Sequence, residues 1–110
     1  MPNNNNTITK VKTMNIHTTD LLQIMNTLQR ALKRIDSINL GEKDYYWEIS
    51  PDDLYNIDNK PRKFFLQQLS FDWDNLLRLK KKNATPVSND LKLLGAILRA
   101  IEDSRTIALY

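Results

Sequence analysis

The sequence predicts a mainly α-helical protein, a small three- to four-helix bundle with an aromatic-rich insert. Two observations carry that expectation. Three stretches place apolar residues at alternating spacings of three and four, the signature of amphipathic helices. Between the first and second of these lies a segment of different character, KDYYWEISPDDLYNIDNK, crowded with rings and carboxylates. Three amphipathic stripes each need a partner surface, and a bundle is the economical way to supply it.

The elements follow in chain order. Residues 1–17 read as a flexible lead-in: Asn3 to Asn6 is a polar low-complexity run with nothing to bury, and Met14 offers a second candidate start. Leu21, Met25, Leu28, Leu32 and Ile35 recur at spacings of 4, 3, 4 and 3, which predicts a helix over 18–38. Ile24, Ala31 and Ile38 widen its stripe. Thr18 or Thr19 is expected to cap it, Asp20 suits its N-terminal end, and Gly41 is a natural stop.

Tyr45 to Ile49 has the aromatic and branched content of a short strand. Ser50-Pro51-Asp52-Asp53 then reads as a cap, a proline at the first helical position and acids in a first turn. Residues 56–61 are loop. Residues 64–69 admit two readings, a strand pairing with 45–49 in a two-stranded hairpin, or the lead-in to the next helix. That helix is expected from a Ser70 cap to Lys82, with Trp73, Leu76 and Leu77 on its inner side. Asn83 to Pro86 breaks the chain. Ser88 is expected to cap a last helix whose inner stripe is Leu91, Leu94, Leu98 and Ile101, widened by Ile97, with Gly95 permitting close helix packing. Residues 106–110 form a short apolar tail. The expected organisation is thus a lead-in, one helical domain over 18–105, and the tail.

Composition narrows the function. A chain of 110 residues with 41% hydrophobic content fits one ordinary core. There is no cysteine, so disulfides and thiolate metal sites are excluded and a reducing cytosol is compatible. No apolar run approaches the roughly 20 residues of a membrane span, and the N-terminus lacks the apolar centre of a signal peptide. The protein is therefore read as cytoplasmic, without a membrane partner.

Catalytic chemistry finds no foothold. The single histidine, His17, lies in the lead-in, away from any nucleophile. The two glycines, Gly41 and Gly95, form no phosphate-cradling loop. Asp52 and Asp53, like Asp72 and Asp74, fall in predicted first turns, where acids complement the helix dipole. The segment DDLYNIDN has neither the ligand spacing nor the glycine of a calcium loop. The expectation is no enzyme, no cofactor and no metal.

Charge is segregated. The net +3 belongs to residues 1–36, and the remainder is neutral. Between positions 42 and 58, Glu42, Asp44, Glu48, Asp52, Asp53 and Asp58 face only Lys43. Such segregation selects partners. If Tyr45 to Ile49 is extended, Tyr45, Trp47 and Ile49 share one face, expected to be buried, while Tyr46 and Glu48 share the displayed one. Asp44, Tyr46, Glu48, Asp52, Asp53 and Asp58 are accordingly the expected partner-binding residues, an acidic, aromatic surface for a basic protein. The second reading is a nucleic-acid-associated or regulatory helical protein using Lys33, Arg34 and the run Arg78 to Lys82. Those lysines equally suit a helix C-terminus.

Several segments carry a resemblance. DYYWEIS, DDLY, the proline at Pro61, QLSFDW and the closing PVSNDLKLLGAILRAI resemble a family of small bacterial proteins. The family's pattern is a D-Y-Y-W segment, a later L-x-D-D-W segment and a last helix of L-x-x-x-A-x-I-L-R-A-I type. Here Leu69-Ser70-Phe71-Asp72-Trp73 places phenylalanine where an acid is usual. The resemblance covers residues 44–103. Such proteins are similar to immunity proteins encoded beside polymorphic or contact-dependent growth-inhibition toxins. The resemblance implies that the chain binds and neutralises one cognate toxin domain, a nuclease among the candidates, and it carries no catalytic motif.

Overall fold

The computed structural model describes residues 13–105. The elements are α1 (Thr18–Leu32), β1 (Tyr45–Ile49), α2 (Pro51–Leu54), β2 (Phe64–Gln68), α3 (Leu69–Leu77), a 3-10 turn (Arg78–Lys80) and α4 (Ser88–Ser104). Among the described residues, four helices and one antiparallel hairpin make an α-dominant fold. By its contacts the chain divides into two compact units, Met1–Asp36 and Ser37–Tyr110. Residues 1–12 of the expected lead-in over 1–17, and the expected tail over 106–110, lie outside the described residues.

The first unit contains α1. The helix stops at Leu32, six residues earlier than its periodicity suggested. Beyond it come Ile35, Asp36, Ser37 and Ile38, β-branched or backbone-competing residues that favour turns over another helical layer. His17 occupies the N-cap position with no side-chain cap, so neither Thr18 nor Thr19 serves as expected. No residue of α1 is buried; the stripe Leu21, Met25 and Leu28 is formed but remains exposed. Gly41 is not the helix stop. It takes φ +72° in the turn before β1, where its N–H donates to Asn39 Oδ1 at 2.7 Å.

The second unit is the hairpin with α2, α3 and α4. Of the two readings of residues 64–69, both hold. Phe64–Gln68 pairs antiparallel with β1, Tyr46 opposite Gln67 and Glu48 opposite Phe65, and the chain enters α3 at once. The linking residues 50–63 are ordered locally. Ser50 Oγ accepts from the Asp52 N–H at 3.3 Å, Pro51 opens the single turn of α2, and Asn56 Oδ1 accepts from the Asp58 N–H. Those were the expected roles of Ser50 and Pro51.

The core is thin. Leu69 and Leu76 of α3 meet Leu93 and Ile97 of α4, with Leu40, Tyr46 and Leu79 packed around them. Burying each of the four contributes about 1.5–3 kcal/mol. Both helices are rotated from expectation. In α3 the inward series is Leu69, Asp72, Leu76, with Trp73 exposed; in α4 it is Asp90, Leu93, Ile97, with Leu91 76% exposed and Leu98 half-exposed. The cause is shared. An aspartate sits on each inward stripe, and a reading that sends acids to solvent turns the helix away from it. Ser70 and Ser88 lie inside their helices rather than at the caps.

Gly95 does not serve close packing either: a Cβ built there meets nothing within 4 Å. Gly95→Ala should therefore stabilise the fold by about 0.8–1 kcal/mol, the helix-propensity difference alone. Urea unfolding measures it; a loss of stability would mean that the site is closely packed after all.

Candidate functional site

The residues singled out from sequence cluster around β1, and α3 and α4 position most of them. Asp44 precedes the strand and acts as a cap for a helix far away in sequence. Its Oδ1 accepts the Ser70 N–H at 2.7 Å, and its Oδ2 accepts the Ser70 hydroxyl at 3.0 Å and the Gln68 side-chain amide at 2.7 Å. One of the unpaired donors of the first turn of α3 is satisfied this way, which explains why the helix needs no local cap. The Gln68 bond, then the Ser70 N–H, hold the Asp44 carboxyl below its ordinary 3.8.

Tyr46 lies one residue pair further on. Its hydroxyl donates to Asp72 Oδ2 at 2.6 Å. Asp72 is only 3% exposed and this is the bond that satisfies it. Burial first, and then the bond to Asp72 and the carboxylates of Asp72 and Glu48, push the Tyr46 phenol well above its ordinary 10.0. Glu48 points to the same side and accepts from Lys92 of α4 at 2.6 Å. Asp53 is buried in the linking segment, where it accepts the Arg62 N–H at 3.2 Å and lies 3.7 Å from the Arg62 guanidinium. Asp52 and Asp58 are exposed, and no described residue pairs with their carboxylates.

The two faces of β1 are thus the reverse of expectation. Tyr46 and Glu48 turn inward to α3 and α4, whereas Tyr45 is 61% and Trp47 66% exposed. The buried Asp72 decides the orientation, because a buried carboxylate without a donor costs more than an exposed ring, and the exposed Lys92 adds a surface bond to Glu48. On the outer face Trp47 stands opposite Leu66 and Ile49 opposite Phe64. Tyr45, Trp47, Phe64 and Leu66, each more than half exposed, present a patch of roughly 400 Å². The largest apolar patch on a monomer commonly has this size and is often functional. The local acidity is correspondingly weaker than the sequence count, since Lys92 and Arg62 neutralise Glu48 and Asp53.

A groove of about 940 Å³ runs along β1 beside α4. Arg78, first of the basic run, bonds to the buried Asp90 and to the Thr85 carbonyl, while Asp90 Oδ2 accepts the Val87 N–H at 2.8 Å. The Val87 bond foremost, with help from Arg78, holds the Asp90 carboxyl below its ordinary value. Arg78 is therefore structural, and Lys80, Lys81 and Lys82 remain exposed. Among the described residues no three His, Asp or Glu side chains stand together as metal ligands. Sequence reasoning missed Asp72, Asp90 and Lys92. An aspartate on an apolar stripe of spacing three and four was the available signal, since such a residue must find an internal donor.

The chain matches no protein-family model, no curated protein and no solved structure.

Tyr46→Phe should cost about 1.5–3 kcal/mol, the range for a hydrogen bond to a charged partner. Urea unfolding measures it, and the absorbance titration should lose the tyrosine component that ionises last. The Asp44 shift has a definite sign. A carboxyl whose folded pKa is depressed stabilises above its unfolded value and loses that contribution as pH falls through the folded one. Stability should therefore decline as pH drops below about 4, and less steeply in Asp44→Asn. Parallel pH profiles for the two proteins would remove Asp44 from this role.

Proposed function

We propose that this chain is a binding protein of the immunity type, acting in the cytoplasm by holding one cognate bacterial toxin domain and carrying out no chemistry of its own. The observation that carries the reading is the outer face of the hairpin, with Tyr45 and Trp47 exposed on a strand fixed from behind by Asp72 and Lys92. Tyrosine and tryptophan supply large contact area at small entropic cost, and they dominate interface energetics. Asp52 and Asp58 add free carboxylates on the adjoining segment, which speed encounter with a basic partner. A nuclease is the toxin class that suits them, because a cleft built to hold phosphates is basic.

The resemblance supports the same reading from another direction. In this chain the D-Y-Y-W segment and Leu69-Ser70-Phe71-Asp72-Trp73 meet through the Asp44–Ser70 and Tyr46–Asp72 bonds, so two of the segments that carry the resemblance build the platform, and Tyr45 and Trp47 of the first also supply rings to the outer face. Of the six residues expected at the interface, the proposal keeps Asp52 and Asp58 in contact with the partner. It assigns Asp44, Tyr46, Glu48 and Asp53 to holding the platform. The finer architecture expected from the sequence, a three- to four-helix bundle, belongs to the same proposal.

The test is co-expression with candidate toxin domains taken from the genes that neighbour this one, scored as rescue of growth and as affinity of the purified pair. Trp47→Ala should weaken binding by about 30-fold or more, equivalent to ~2 kcal/mol. Reversing Asp52 and Asp58 to lysine should slow association and flatten its salt dependence. Full rescue and unchanged kinetics in both variants would place the interface elsewhere, and failure to rescue by the intact chain would refute the immunity reading.

A further inference from the structure

The hydrogen-bonding phase of the hairpin determines which backbone groups of β1 are already committed. The Leu69 N–H donates to the Asp44 carbonyl at 2.6 Å. With the observed register, the β1 residues that exchange bonds with β2 are then Tyr46 and Glu48. The N–H and C=O groups of Tyr45, Trp47 and Ile49 point in the sheet plane away from β2. None of them has a partner among the described residues. Three successive free donor–acceptor sets on a strand edge are a template for another strand.

That edge opens on the groove described above. The groove is lined by all five residues of β1 and by none of β2, so it lies on the strand's free side. Its opposite wall is α4, through Gly95, Ala96 and Ala100 among others. Small side chains there leave room for a backbone, and the direction in which a Gly95 side chain would project is empty. All five residues of β1, about 17 Å of extended chain, line the space.

The charge of the groove says what kind of strand fits. Lys43, Lys92 and Arg99 line it against Glu48 and Asp103. Glu48 neutralises Lys92 at 2.6 Å, whereas Arg99 and Asp103 are exposed and 4.0 Å apart, a contact of little worth. Lys43 has no ionic partner among the described residues. The groove therefore carries an excess positive charge beside its apolar walls.

We propose that β1 and α4 form a strand-accepting groove, and that its occupant is an extended segment of the protein partner, apolar at alternate positions and bearing a carboxylate. This deepens the binding-protein reading given above and rests on it. The partner's backbone completes the edge of β1 while its side chains lie alternately beside Trp47 and over the small residues of α4. Main-chain bonds supply affinity in this mode, and the side-chain pockets supply choice.

The test uses the full chain and a display library of short linear peptides as the probe. Selected peptides should alternate apolar residues and carry Asp or Glu. Binding should slow amide exchange at Tyr45, Trp47 and Ile49, and N-methylation of alternate peptide nitrogens should weaken it by about tenfold or more. Gly95→Leu, which favours the helix and fills the groove, should abolish binding while circular dichroism stays unchanged. The proposal is overturned if no peptide is selected, if N-methylation is without effect, or if the Gly95→Leu protein binds as well. It is also overturned if the three amides are already protected in the free protein, because the edge is then covered by this chain itself or by a second copy. The two readings separate cleanly. A toxin domain bound equally by the Gly95→Leu protein leaves the immunity reading standing without the groove. Peptides bound as described, with no toxin neutralised, leave the groove standing without the immunity reading.

Discussion

Everything in the second unit is organised by the docking of β1 onto the start of α3. Asp44 caps that helix across 26 residues of sequence, and Tyr46 donates to its buried Asp72. These two contacts fix both the register and the facing of the strand. A one-residue slip in β1 would move Tyr46 to the outside, put Tyr45 or Trp47 in its place, and carry Asp44 out of register with the Ser70 N–H that it caps. A two-stranded hairpin is marginal by itself in water. Here the polar contacts to α3 and the Glu48–Lys92 pair to α4 tie it to a small apolar core that would not otherwise dictate its orientation.

The same contacts explain the exposed rings. Because Tyr46 and Glu48 are drawn inward, pleating forces Tyr45 and Trp47 outward. The strand's partner residues Phe64 and Leu66 follow them to the outer side. An aromatic surface is thus the geometric consequence of a polar platform. Arg78 and Asp90 repeat the strategy at the other end, joining the 3-10 turn to the start of α4 through a buried carboxylate.

Much of the fold was legible in the residues. The periodicity of 18–32 and 88–104, the Ser50-Pro51 start of α2 and the β-content of Tyr45 to Ile49 all correspond to observed elements. What sequence patterning could not show was the facing of each element. Leu91 and Leu98 lie on a regular apolar stripe, yet Leu93 and Ile97 are the buried pair, because Asp90 bonds inward to Arg78 and the Val87 N–H. The Asp44 cap was invisible for a different reason: local capping rules look within four residues, and this cap arrives through tertiary structure. Among the expected interface residues, types were legible but roles were not. A carboxylate in a count of charges looks the same whether it meets Lys92, as Glu48 does, or water, as Asp52 does.

The orientation of β1 is the central claim, and nuclear Overhauser contacts from its aromatic rings test it most directly. The account predicts contacts from the Tyr46 ring to the methyl groups of the Leu69–Leu76–Leu93–Ile97 core, and none from Trp47 to those methyls. Contacts from the Trp47 indole to that core, with the Tyr46 ring free of it, would contradict the account: the strand would face the other way and the aromatic surface would be core.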